Sequence, residues 1–161
     1  MQDGVNRIMS ELIKTILVAT DGSDHAIRAA QYAAEIAEHL GARVVLLTVM
    51  QVSGVDQFVT YSIEGRGDAG DHWYQNAEEA ISRSKIPFIE KNVPVRTKII
   101  EGHAADVILH EAREGAYDML VLGSHGSSAG LITRIVFGMG NVAERVSSNA
   151  PCPVLVVRVS E

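Results

Sequence analysis

A chain of 161 residues, 47% of them hydrophobic, is long enough for one domain with a sizeable core and too short for two ordinary ones. The formal net charge of -6, with Lys and Arg scattered rather than striped, excludes a surface that neutralises a nucleic acid backbone. The one cysteine, Cys152, excludes an internal disulfide and a cysteine-cluster metal site, and reads as buried filler.

The first twelve residues, "MQDGVNRIMSEL", lack the apolar core of a signal peptide, and no run of 18 apolar residues occurs in the chain. We expect residues 1–12 to be a frayed or loosely attached segment, residues 13–161 to form a single domain, and the chain to be cytoplasmic with no membrane partner. The first strand is predicted at "ILVAT", 16–20. Ala26, Ala29, Ala30, Ala33, Ala37 and Leu40 then share one helical face, with Ser23 placed to cap it. "VVLLTVM", 44–50, is a second strand, and residues 51–70, with four glycines and no clear period, read as a long loop.

Trp73, Ala77, Ala80, Ile81, Ser84 and Phe88 mark a second helix, which Pro87 should kink or end. "VRTKII" alternates where the other strands are apolar throughout, so it is expected at a half-exposed sheet edge. A third helix over 103–115, the strand "MLVLG" at 119–123, a fourth helix over 140–149 and the strand "VLVVRV" at 154–159 complete the series. Aromatics make up only 5% of the chain, so aliphatic side chains fill the space between helices and sheet. Right-handed crossovers in this sequence of elements build an α/β fold, an open doubly wound five-stranded parallel sheet of order 3-2-1-4-5 with helices on both faces. The winding reverses between strands one and four, and ligands bind in the crevice at their carboxyl ends.

Two motifs fall at that crevice. "ATDGS" ends strand one and "GSHGSSAGLITRIVFGMGN" follows strand four. In the second, Gly123 and Gly126 allow close backbone approach and positive φ, and successive amides and Ser hydroxyls offer donors to phosphate; the plain alternative is a glycine-rich turn with no ligand. "GMGNVAERV" opens the last helix, whose free amides attract an anion. It also fits G-x-G-x-x-A, but only a terminal strand follows it, so no dinucleotide half-domain can be built there. Asp21 would accept hydrogen bonds from a ribose or an adenine amino group, or else share the capping of the first helix. The acidic cluster and lysine of a phosphorylation receiver are absent. There is no G-x-x-x-x-G-K-[ST] loop, so fast hydrolysis is not expected. His125 and Arg134 are the cations nearest the loop. No spacing calls for a structural metal, and a divalent cation, Mg or Mn, would arrive with the phosphates of a nucleotide.

"ILVATDGSDHAIRAAQYAAEIAEHLGARVVLLTV", "YDMLVLGSHGSS" and "NVAERVSSNAPCPVLVV" resemble the universal stress protein family across residues 14–159. The resemblance implies an adenine nucleotide alpha hydrolase-like sheet, a homodimer and, in one branch, ATP or AMP held by G-x2-G-x9-G-[S/T/N]. Carried over by position, Asp21 and Val49 would meet the adenine and ribose, with Gly123, His125 and Gly126 along the ribose and phosphates. The candidate nucleotide-binding set is completed by Ala19, Thr20, Leu122 and Ser127, and by Gly140, Asn141 and Val142 at the last helix. From Gly126, eleven residues precede Gly138 and thirteen precede Gly140, where the pattern asks for nine. Gly140-Asn141 is the pair that aligns, leaving about four extra residues in the phosphate loop.

Three functions follow. The first is a nucleotide-binding regulator of a stress response with an unknown protein partner. The second is a nucleotide-free dimeric interaction protein, and the third is a slow ATPase or self-phosphorylating enzyme, for which no catalytic residue stands out. The last strand is apolar on both faces yet lies at a sheet edge, so it should be covered by the same strand of a second subunit. Leu131, Ile132, Ile135, Val136 and Phe137 are too many for a solvated loop, and are expected to pack as an extra helical turn or against the partner, the segment folding as a lid over Ser127, Ser128 and the amides of Gly140 and Asn141, hinged at Gly130 and Gly138.

Overall fold

A computed structural model of the chain describes residues 2–50, 68–126 and 140–159. The described elements are α1 (Gln2–Leu12), β1 (Thr15–Ala19), α2 (Asp24–Leu40), β2 (Arg43–Met50), α3 (Asp68–Glu90), β3 (Val95–Glu101), α4 (Ala104–Glu114), β4 (Met119–Gly123), α5 (Asn141–Asn149) and β5 (Val154–Val157). The five strands form one parallel sheet in the order β3-β2-β1-β4-β5, as the crossover argument requires. In register, Ala19 of β1 lies level with Leu47 of β2 and Leu122 of β4, which sets the edge of the crevice.

Alternation along β1 divides the core. Ile16 and Val18 point into a layer filled by the alanines of α2 and by Ile81 and Phe88 of α3, whereas Leu17 and Ala19 point into a layer with Ile108, Leu109 and Ala112 of α4 and Val146 of α5. Helix α2 forms where its apolar period predicts. Ser23 Oγ accepts the Ala26 amide at 3.3 Å, and Gly41, at φ 65°, closes the other end with its amide on Ala37 O. Ala26, Ala29, Ala30, Ala33, Ala34 and Ala37 are buried, and side chains this small bring the helix close to the sheet.

The edges differ as read. Arg96, Thr97 and Lys98 of β3 are exposed. At the opposite edge, Leu155 and Val157 of β5 meet the α2/α3 layer while Val154 and Val156 meet the α4/α5 layer.

Two expectations are corrected. The first residues are not frayed chain: Gln2–Leu12 is helical, because Val5, Ile8, Met9 and Leu12 recur at i, i+3, i+4 and i+7, and it joins β1 where the Ile13 amide bonds Met9 O. Of the two effects expected of Pro87, a kink or an end, the end is overturned, since α3 runs three residues further to Glu90. The proline lies in the last turn, where one missing amide bond is set against complete burial of the next side chain, Phe88. Of the stretch expected as a loop over 51–70, residues 68–70 belong to α3, and residues 51–67 lie outside the described residues, as do 127–139.

Among the described residues no helix is long and apolar enough to cross a membrane.

Candidate functional site

Past the level ends of β1, β2 and β4 the chain is fixed by side-chain bonds. The Thr20 amide donates to Leu47 O at 2.9 Å, and Thr48 Oγ1 donates to Thr20 O at 3.0 Å. Thr20 Oγ1 lies 2.6 Å from Ser84 Oγ and accepts the Gly22 amide at 3.1 Å. Gly22 has φ 75° and a Cβ on it would come 3.0 Å from Ala80, so only glycine makes this turn against α3. Thr20 therefore lines the crevice with its hydroxyl already engaged by the protein. Asp21 is exposed, and its Oδ1 accepts the Ser23 amide at 3.0 Å. Its Oδ2 faces the glycine loop, where a Cβ on Gly126 would lie 2.8 Å away.

On the other side of the crevice, Ser124 is fully buried and ties four elements together. Its amide donates to Val157 O at 2.8 Å, and its carbonyl accepts the Gly140 amide at 2.7 Å. Its Oγ lies 2.9 Å from His125 Nδ1 and 3.3 Å from His25 Nδ1, and His25 Nδ1 accepts the Val159 amide at 3.3 Å. The two imidazole centroids are 5.1 Å apart. The bond between Ser124 and Gly140 holds the end of β4 beside the start of α5.

Gly140 is the N-cap of α5 and offers no side-chain bond; the first intrahelical bond runs from the Glu144 amide to Gly140 O. The amides of Asn141, Val142 and Ala143 thus have no intrahelical acceptor, and all three residues line the crevice. A cleft of about 290 Å3 results. Leu47, Val49, Ala104, Ile108 and Leu122 form apolar walls, while Asp21, Ser124, His125 and the start of α5 supply the polar groups. An apolar slot with donors at one end and a carboxylate at its rim suits a flat, polar-edged ring carrying an anion.

The structure gathers Ala19, Thr20, Asp21, Val49, Leu122, Gly123, His125, Gly126, Gly140, Asn141 and Val142 around this one cleft, while Ser127, like Arg134 and the apolar residues 131–137, lies outside the described residues. Details change. Neither Gly123 nor Gly126 adopts positive φ. A Cβ on Gly123 would stand 2.7 Å from the His25 carbonyl carbon and 2.9 Å from the Ala26 amide, so this glycine lets α2 approach β4. The Gly140 amide, expected beneath the phosphates, is taken by Ser124 O, and the helix-start donors begin one residue later. Sequence reasoning also missed Ala26, Leu47, Ala104, Ile108, Ser124 and Ala143. For Ala104 and Ile108 a signal existed: they stand one turn apart at the start of the helix that follows β3, at the same carboxyl end of the sheet.

The Universal stress protein family profile matches residues 12–158. Universal stress protein MJ0531 of Methanocaldococcus jannaschii is 36% identical over 148 residues, which cover 91% of this chain and 83% of that protein. The fold is shared with universal stress protein UspA from Lactobacillus plantarum, 24% identical with a TM-score of 0.73 over 90% of this chain and 97% of that one. A universal stress protein crystallised in complex with cAMP is 25% identical, with a TM-score of 0.61, and the match covers 92% of this chain and 98% of that one.

Proposed function

The chain belongs to the universal stress protein family, and on that premise we propose that it binds an adenine nucleotide, ATP or AMP, in the cleft between β1 and β4 and acts as a regulatory homodimer in a stress response. The observation that carries this reading is the arrangement of opposite chemistries in one slot. The open amides of Asn141, Val142 and Ala143 suit phosphate oxygens, Leu47, Val49 and Ile108 suit the faces of a base, and the Asp21 carboxylate suits its hydroxyl or amino donors. The likeness to a relative that binds cAMP supports the same ligand class. Asp21 is the one carboxylate on the cleft wall among the described residues, so Mg or Mn would come with the phosphates of ATP rather than reside in a protein ligand set. The outer edge of β5, apolar towards both layers, is the surface we assign to the homodimer. Bound nucleotide would then bias which surface the dimer offers to a protein partner.

The test is to denature the purified protein and identify the released small molecules by mass spectrometry, then to titrate the emptied protein with ATP, AMP and cAMP in a calorimeter. Released or rebound adenine nucleotide at one site per chain is expected. Neither release nor binding of any nucleotide would leave a nucleotide-free interaction protein as the function.

A further inference from the structure

The bonds around Ser124, His25 and His125 admit one consistent order of protons. The Val159 amide donates to His25 Nδ1 at 3.3 Å, so that nitrogen carries no proton and the neutral ring is protonated on Nε2. A bare Nδ1 can only accept from Ser124 Oγ, which is also 3.3 Å away. Two donors then share one lone pair, in keeping with the length of both contacts. Ser124 has one hydroxyl proton, already given to His25, so the shorter contact of 2.9 Å is donated by His125 Nδ1. The opposite order would set the lone pairs of Ser124 and His25 face to face.

With Nδ1–H turned to Ser124, the atom of His125 that gains or loses a proton is Nε2. His125 can take that proton and keep its bond to Ser124, whereas a proton on His25 Nδ1 would break the bonds from both Ser124 and Val159. Nε2 of His125 is buried, where charge is costly unless an opposite charge comes beside it. The ring lines the cleft together with Asn141, Val142 and Ala143, whose open amides draw an anion to that end of it. The other titratable group on the cleft among the described residues is Asp21, which favours the same positive charge. From α5 and β5 the contacts are Gly140 and Val159, which do not titrate, while Asp24 and Arg158, their chain neighbours being His25 and Val159, are exposed.

We propose that His25 and Ser124 are positioning residues that hold His125 as its Nδ1–H tautomer, and that an adenine nucleotide binds together with a proton taken from solvent onto His125 Nε2. The step rests on the nucleotide reading and adds its regulation, since the cleft then holds nucleotide more tightly as pH falls towards neutral. Where a whole proton is taken up, affinity falls about tenfold for each unit of rising pH.

Two readouts test this in wild type, in His25→Asn, whose side-chain oxygen replaces the accepting nitrogen, and in His25→Phe, which keeps a ring and removes the acceptor. Nitrogen-15 spectra of the nucleotide-free protein should show His125 protonated on Nδ1 in wild type and His25→Asn. In His25→Phe it should be protonated on Nε2, because the Ser124 hydroxyl must then donate to His125. Calorimetry with AMP, or with ATP if AMP does not bind, in buffers of different ionisation heat counts the protons. At about pH 7.5 the nucleotide is almost fully ionised, its last phosphate pKa being about 6, and gives up almost none of its own. Wild type and His25→Asn should take up a substantial fraction of a proton. His25→Phe should take up almost none, since charging His125 there would leave the buried Ser124 hydroxyl without an acceptor. Should His25→Phe fail to fold, the wild-type tautomer and proton count decide. Wild-type His125 protonated on Nε2, one tautomer shared by wild type and His25→Phe, or bound nucleotide with equal or no proton uptake in all three proteins would overturn this inference alone. If neither AMP nor ATP binds, the nucleotide reading falls and the proton-linked step falls with it, whatever tautomers the spectra show.

Discussion

Gly126 stands so close to Asp21 that a Cβ on the glycine would lie 2.8 Å from Asp21 Oδ2. The contact is with the tip of an exposed side chain, so Gly126→Ala should leave the fold intact and turn the carboxylate aside. If Asp21 meets the nucleoside, this variant and Asp21→Ala should both weaken ATP or AMP, by about 1–3 kcal/mol for the second, with melting temperatures near wild type. Calorimetry with each nucleotide checks it, and unchanged affinity in both variants would take Asp21 out of the binding site.

Gly123 gives the opposite expectation three residues away. Its added Cβ would meet backbone atoms of His25 and Ala26, which cannot swing aside. Gly123→Ala should therefore separate α2 from β4 and cost stability, about 1–3 kcal/mol by analogy with overpacked cores. Urea denaturation measures this, and a midpoint equal to that of wild type would show that the helix yields without cost.

These two glycines illustrate what a sequence reveals and what it does not. Solid apolar runs and one alternating strand fixed the sheet order, because a parallel sheet buried on both faces leaves little freedom in how its strands are written. The crevice followed from that order and from the glycine loop. Which glycine served which contact was not legible, since "GSHG" is equally suited to approach by a ligand, a carboxylate or a helix. The bond from the Gly140 amide to Ser124 O joins residues sixteen apart in the chain, and no periodicity encodes it. Helix α1 was legible in its spacing, but its polar composition and terminal place outweighed four apolar positions.

Ser124 presents a separable case. Its backbone bonds to Val157 and Gly140 survive replacement by alanine, while the hydroxyl between His25 and His125 is lost. Ser124→Ala should cost about 1 kcal/mol of stability, the usual value of one hydrogen bond, and loosen the position of the His125 ring in the cleft. Nitrogen-15 shifts of the imidazoles report the tautomers directly. Identical shifts of both rings in variant and wild type would show that the hydroxyl does not position them.

At the sheet edge, Val154 and Val156 face the α4/α5 layer and remain half-buried in the isolated chain. Val154→Lys with Val156→Lys should prevent a second β5 from lying alongside, and light scattering should find monomer or aggregate. A folded dimer of native mass would move the interface elsewhere.

The last prediction concerns pH and lies away from the cleft. Glu111 is buried, with Lys98 Nζ at 2.5 Å and Tyr117 Oη at 2.7 Å. Burial opposes its charge, but the hydrogen bonds from Lys98 and Tyr117 outweigh burial and hold the carboxyl below its ordinary value of 4.5. Because the folded value is depressed, the unfolded chain takes up the proton first. The contribution of Glu111 is complete above pH 4.5 and is lost as pH falls below it, through the lower folded value. Tyr117 has the reverse sign. Burial and the bond to Glu111 push its hydroxyl above the ordinary 10.0, so its contribution is complete below pH 10.0 and fades as pH rises beyond. Glu111→Gln should lower the melting temperature at neutral pH and flatten the loss of stability below pH 4.5, while Tyr117→Phe should flatten the alkaline side. Thermal melts across the two pH ranges decide the matter: parallel curves for variant and wild type would mean that this triad carries no proton linkage.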